Sequence, residues 1–141
     1  MKPKILLRIA SFLMLFHLIG HTFGQLGWRK ADEPVKQEVI RQMTEYKFPF
    51  MGATRSMGDY FEGYGWATSI ALIFFALVLW FTSGALNNNT AFIKELLVSL
   101  AICLFSWSIL EFVYFFAFAG SITLLAAILT LIAYIQVRKS I

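Results

Sequence analysis

The stretch "AFIKELLVSLAICLFSWSILEFVYFFAFAGSITLLAAILTLIAYIQV", Ala91 to Val137, decides the fold. Its 47 residues are almost continuously apolar. As one helix they would reach about 70 Å, more than twice the hydrocarbon thickness of a bilayer, about 30 Å. A single helix is therefore excluded, and the run must fold back. Gly120 can supply the turn and Ser121 can cap the helix that follows. This predicts helices over 91–117 and 121–137.

Upstream, two further segments have spanning length. Trp66–Gly84 is apolar and ends in the breaker run "SGALNNNT". Ile5–Phe23 is interrupted only by Arg8, whose long side chain can reach the headgroups. A signal peptide is the rival reading of this first segment, with Lys2 and Lys4 at its start and Thr22 and Gly24 at cleavage positions. Arg8, His17 and His21 inside the apolar run argue for a retained helix instead. Composition agrees with membrane residence, at 59% hydrophobic and 14% charged residues, since soluble chains carry about a quarter charged. The net charge of +4 comes from cations that flank apolar segments, so it points to membrane edges and not to nucleic acid. One cysteine, Cys103, excludes an intramolecular disulfide and reads as a small packing residue.

The loop from Gln25 to Gly65 carries its own elements. Asp32 precedes Glu33 and Pro34 as a helix cap with proline in the first turn. Val35, Val39, Met43 and Tyr46 then recur at helical spacing, predicting a surface helix over 33–47 that lies on a membrane or on a bundle's rim. "KFPFMG" ends it through Pro49 and Gly52. Ser56 and Asp59 have capping-box spacing, so the second spanning helix starts near Met57 and covers 57–84. The expected architecture is all-α: one membrane domain, 1–141, of four transmembrane helices (5–23, 57–84, 91–117 and 121–137) with an amphipathic surface helix between the first two.

Lys2, Lys4, Arg8, Lys94, Arg138 and Lys139 sit in short flanks on one side, whereas Arg29, Lys30, Lys36, Arg41, Lys47 and Arg55 are spread over the long loop. Concentrated charge in short flanks marks the cytoplasmic side, so both termini are expected inside. The sequon at Asn88-Asn89-Thr90 then reads as a polar turn.

Two motifs, "HLIGHTFG" (His17–Gly24) and "FPFMGATRSMGDYFEGYG" (Phe48–Gly65), together with the four-helix pattern, resemble a group of small bacterial integral membrane proteins. The resemblance covers nearly the whole chain. It implies a four-helix membrane fold and nothing more; the expected location is a bacterial inner membrane.

Both histidines, with Glu62 and Glu111, are expected near one membrane face. His17 lies about 10 Å, Glu111 about 9 Å and Glu62 about 8 Å inside helix ends on that side. His21, Arg55, Asp59 and Tyr114 fall within about a turn of them, which makes a candidate buried polar cluster of His17, His21, Arg55, Asp59, Glu62, Glu111 and Tyr114. Three readings compete. The first is a hydrogen-bonded network that holds helix register in a scaffold or accessory subunit. The second is a ligand or catalytic pocket for a lipid, quinone or sterol-like molecule, roofed by Phe48, Phe50, Tyr60, Phe61, Tyr64 and Trp66, with Glu111 and His17 as acid and base. The third is a metal site on His17, His21, Glu62 and Glu111, for which the i, i+4 histidine spacing is the only signal. Bis-histidine haem is excluded, because ligands on one side of one helix cannot face each other across the iron. No cofactor is implied. The partners implied are the bilayer and a homo-oligomer or larger membrane complex. Ser99, Cys103 and Ser106 form a small-residue stripe that reads as a helix-packing face, and Gly63 and Gly65 read as points of close approach.

Reporter fusions at Asn88 and at Ile141 are expected in the same compartment, with a fusion inside the surface helix in the opposite one. Disagreement between the first two would mean a number of crossings other than four.

Overall fold

The computed structural model of the chain describes residues 1–86 and 90–139. In order, the elements are α1 (Pro3–Gly27), α2 (Pro34–Glu45), β1 (Lys47–Phe50), β2 (Ala53–Ser56), α3 (Met57–Gly84), α4 (Thr90–Tyr114) and α5 (Ala117–Lys139). The protein is mainly α-helical, and α1, α3, α4 and α5 are long and apolar enough to cross a membrane. Of the sequon Asn88-Asn89-Thr90, expected as a polar turn, Asn88 and Asn89 lie outside the described residues and Thr90 begins α4. Two compact units divide the chain, one formed by Met1–Leu18 with Leu72–Ile141 and the other by Ile19–Ala71.

In the first unit, burial follows a seam of residues three and four apart. Leu7, Ala10, Met14 and His17 carry it on α1, and Leu72, Ala76, Leu79 and Ser83 on α3. On α4 it runs through Ile93, Leu97, Leu100, Leu104, Ser108 and Glu111; on α5, through Ala119, Thr123, Ala126, Thr130, Ala133 and Val137. The α5 steps of four and three keep an unbroken heptad, the spacing that holds one face against neighbouring helices. That face is almost entirely Ala and Thr, whose small side chains let backbones approach closely. Ser11 Oγ donates to Ala76 O across 2.7 Å and ties α1 to α3 inside the seam. Large apolar side chains face outward, among them Phe12, Phe16, Phe81, Ile102, Leu110, Phe118 and Ile132. Polar groups inside and Phe, Ile and Leu outside is the distribution that lipid selects and water opposes.

Three expectations for these helices are corrected. The turn between α4 and α5 falls at Phe115–Phe116, so Gly120 lies within α5. A Cβ at Gly120 would sit 2.9 Å from the Phe112 ring; the glycine is there for close approach, and the bulky pair before it makes the turn. Glu111 consequently lies only three residues before the end of α4, Tyr114, which is shallower than the expected depth. Finally, Ser99, Cys103 and Ser106 face outward, because the Leu spacing of α4 takes the packed side.

In the second unit, α2 starts with Pro34 at its first turn, preceded by Glu33 as N-cap without a side-chain cap bond. Asp32 therefore does not cap it. Proline's fixed φ and missing N–H suffice to start the helix. On its polar face, Arg41 reaches both Glu38 oxygens (2.7 and 2.6 Å) and one Glu45 oxygen (2.7 Å). Hydrogen bonds from Arg41, then from Gln42, hold the Glu38 carboxyl down to about 2. Along the opposite stripe Val35 is 78% exposed and Val39 is exposed as well, while Met43 nearer the C-terminal end is half-buried; no α2 residue is fully buried.

A two-stranded antiparallel hairpin follows, with Phe50 opposite Ala53, where only a helix-ending breaker was expected. Its turn residues Met51 and Gly52 both have positive φ (47° and 84°), the pattern of a two-residue type I′ turn. Pro49 fits because a two-stranded ribbon has free edges where no N–H is required. Phe48 stacks on Tyr60 at 6.0 Å, which anchors a ribbon that would be marginal alone. The hairpin runs straight into α3 through a reciprocal cap: Ser56 N–H donates to Asp59 Oδ2 (2.8 Å) and Asp59 N–H to Ser56 Oγ (3.1 Å).

Replacing Gly120 by Val is expected to destabilise the protein in detergent by about 1–3 kcal/mol, the range for overpacking. Gly20→Ala, at a glycine with open space around it, is expected to cause no such loss. Thermal unfolding of the two variants checks the contrast.

Candidate functional site

Glu111 stands in the last turn of α4 on its buried side, 4% exposed. A carboxylate in such a place needs donors. Trp107, one turn earlier on the same helix, donates its indole N–H to Glu111 Oε1 at 2.9 Å. His17, from α1, brings Nε2 to the same oxygen at 3.3 Å. The other ring nitrogen, Nδ1, lies 3.1 Å from Thr123 Oγ1 on α5. The tautomer follows the charge state of the carboxyl: beside an ionised Glu111, which only accepts, Nε2 would donate and Nδ1 of a neutral ring would accept from the Thr123 hydroxyl. Three helices of the first unit thus meet in one relay of side chains. Phe75 of α3 closes against it, its ring edge-on to Trp107 at 5.6 Å.

The components resemble a hydroxyl, imidazole and carboxylate set for nucleophilic chemistry, yet the placement opposes that use. Thr123 is 0% exposed and His17 7%. A nucleophile without access cannot attack, and the two ring nitrogens are already engaged inside the packing.

The remaining candidates are held differently. His21, in the second unit, places Nε2 2.9 Å from Gly65 O; a carbonyl can only accept, so this nitrogen is a donor. Gln25, one turn on, donates to Glu62 O at 3.1 Å. His21 and Gln25 therefore clamp α1 onto two carbonyls of α3, and Gly65 leaves the room for it, since a Cβ there would collide with the Gln25 side chain. Glu62 forms an ion pair with Arg29, and Asp59 is committed to the Ser56 cap. Arg55 is exposed and donates to Thr54 O at 3.0 Å. Tyr114 is 74% exposed at the α4 terminus and stays outside the Glu111 contacts.

Of the seven candidates, His17 and Glu111 are brought into direct contact, while Arg55, Asp59 and Glu62 line one cleft with Lys47, Thr54, Gly63 and Trp66. Among the described residues no group of three or more His, Cys, Asp or Glu is placed to hold a metal ion. Sequence reasoning missed Trp107, Thr123, Gln25 and Arg29. Trp107 was accessible through its i, i+4 spacing to Glu111, and Thr123 through the α5 heptad. Comparison of the chain with protein-family models, with curated proteins and with solved structures gave no match.

Gly65→Ala is expected to expel the Gln25 side chain and cost about 1–3 kcal/mol of stability. Combining it with Gln25→Ala should restore part of the loss, because the smaller partner frees the space. A cycle of unfolding measurements in detergent reads this directly, and equal loss with or without Gln25 would refute the clamp.

Proposed function

We propose that this chain is an integral membrane protein whose four apolar helices form a transmembrane bundle, and that it works without catalysis as a scaffold or accessory subunit. The observation that carries this reading is the Thr123–His17–Glu111–Trp107 relay, in which buried polar groups from α1, α4 and α5 engage one another. Such a network specifies helix register. A reaction centre would instead keep a reactive group open to substrate. The wide outward display of Phe, Ile and Leu supports the bilayer, and a second copy or a larger membrane complex, as its surroundings. On the same reading the chain belongs to the bacterial group that its two motifs resemble, sits in the inner membrane and keeps both termini in the cytoplasm, as the short basic flanks favour.

The test is a double-mutant cycle on His17→Leu and Glu111→Gln. Removing one partner leaves the other buried without it, so the double variant should lose less than the two singles together. At membrane depth the coupling is expected to be about 0.6 kcal/mol and at most about 1.7. Cross-linking in native membranes before purification is expected to recover the chain in a stoichiometric protein complex. Purification instead as a monomer that retains a quinone-, sterol- or lipid-like molecule, and releases it when Glu111 is changed, would overturn the scaffold reading in favour of a pocket.

A further inference from the structure

The first turns of α3 carry a feature that the relay does not use. Two depressions in the second unit share Arg55, Asp59 and Gly63. One, of about 370 Å³, adds Lys47, Thr54, Glu62 and Trp66. The other, of about 390 Å³, adds Tyr60, Tyr64 and Ala67. The first is therefore mainly polar and the second mainly apolar, with Gly63 between them. A Cβ at Gly63 would meet nothing within 4 Å, so the floor is open space.

The charges in this cleft are unevenly used. Asp59 accepts from the Ser56 N–H, and Glu62 is paired with Arg29. Among the described residues neither Lys47 nor Arg55 has an ion pair; the Arg55 guanidinium gives one N–H to the Thr54 carbonyl and keeps the rest of its fork. Both cations act on the Asp59 carboxylate through space without ion-pair contact, so each keeps N–H donors for a further anion while Asp59 and Glu62 are held by Ser56 and Arg29. An Arg fork beside a Lys suits a phosphate oxygen array better than any neutral group.

Position adds the second half. α3 has 28 residues, about 42 Å of helix, against a hydrocarbon core of about 30 Å. Its ends must reach the headgroup level, and Tyr60, Tyr64 and Trp66 at the N-terminal end are the residue types that gather there. The geometry points to a binding site for an anionic phosphate amphiphile: Lys47 and Arg55 take the phosphate, and the Tyr64–Ala67 side takes the apolar tail. This rests on the bilayer reading above and is independent of the His17–Glu111 relay.

Native mass spectrometry of the full chain released from detergent micelles tests the site, with phosphatidylglycerol, phosphatidylcholine and inorganic phosphate as probes. One phosphatidylglycerol is expected to be retained in preference to phosphatidylcholine, and inorganic phosphate at the same concentration is expected not to displace it. Lys47→Gln and Arg55→Gln should each weaken retention about fivefold, the effect of one cation near an anionic headgroup. Arg41→Gln, a cation already held by Glu38 and Glu45, should leave it unchanged. Gly63→Leu alters no charge but fills the cleft, and should abolish the preference while unfolding in detergent stays close to that of the parent chain. Equal retention of the two lipids, displacement by inorganic phosphate, or a Gly63→Leu variant that binds normally would each overturn the proposal. Failure of the His17–Glu111 cycle would leave these results unaffected, so the two readings fail separately.

Discussion

The contact between His17 Nε2 and Glu111 Oε1 is the interaction on which the first unit turns. A carboxylate that is 4% exposed can be tolerated only where donors converge on it. The convergence dictates much else. It requires α1 to present His17 on the same face as Leu7, Ala10 and Met14. It requires α4 to keep its packed side inward as far as Glu111, although Phe112, Val113 and Tyr114 beyond it are exposed, and it draws Thr123 of α5 to the far side of the imidazole. Helices that hold such a group cannot slide by a residue without separating it from its donors. Register is thereby set by a few polar atoms, while Leu, Ala and Thr along the seam supply the area of contact.

The second unit solves a different problem with weaker materials. Its hairpin has two strands and its helix α2 has no buried residue. Order comes instead from connections made along the chain: the Ser56–Asp59 cap joins the hairpin to α3, Phe48 lies on Tyr60, and His21 with Gln25 grips the α3 backbone. Gly58 belongs to the same economy of space, since a Cβ there would press within 3.0 Å of the Thr44 methyl and 3.1 Å of the Met43 carbonyl. Gly58, Gly65 and Gly120 serve close approach, whereas Gly63, expected to do the same, has open space around it.

The two histidines that stand four residues apart on α1 turn out to do separate structural jobs. His17 bridges side chains of α4 and α5, whereas His21 donates to a backbone carbonyl of α3. Their common helix face looked like a ligand pair, yet His17 presents both ring nitrogens to side chains of other helices, and His21 gives Nε2 to a backbone carbonyl. Spacing on one helix shows which residues can act together. It does not show what the neighbouring elements ask of each.

Much of the architecture was legible in the chain itself, because helix geometry and the lengths of apolar runs are displayed openly in the sequence. The 47-residue apolar run had to fold back, the capping box at Ser56 and Asp59 announced the start of α3, and the contrast between apolar segments and the Gln25–Gly65 loop marked where structure changes character. The hairpin was hidden because Pro49 and Gly52 read as breakers, and the positive-φ turn at Met51 and Gly52 is visible only in the backbone. The α4–α5 turn was misplaced because glycine at position 120 has two possible uses, and only the nearby Phe112 ring decides between them. The site divides in the same way. Burial of Glu111 and the need for a partner follow from its place in an apolar helix. The choice of His17, Trp107 and Thr123, and the commitment of Glu62 to Arg29, belong to tertiary structure, since hydrogen bonds are made between atoms within about 3 Å and sequence separation says nothing about that distance.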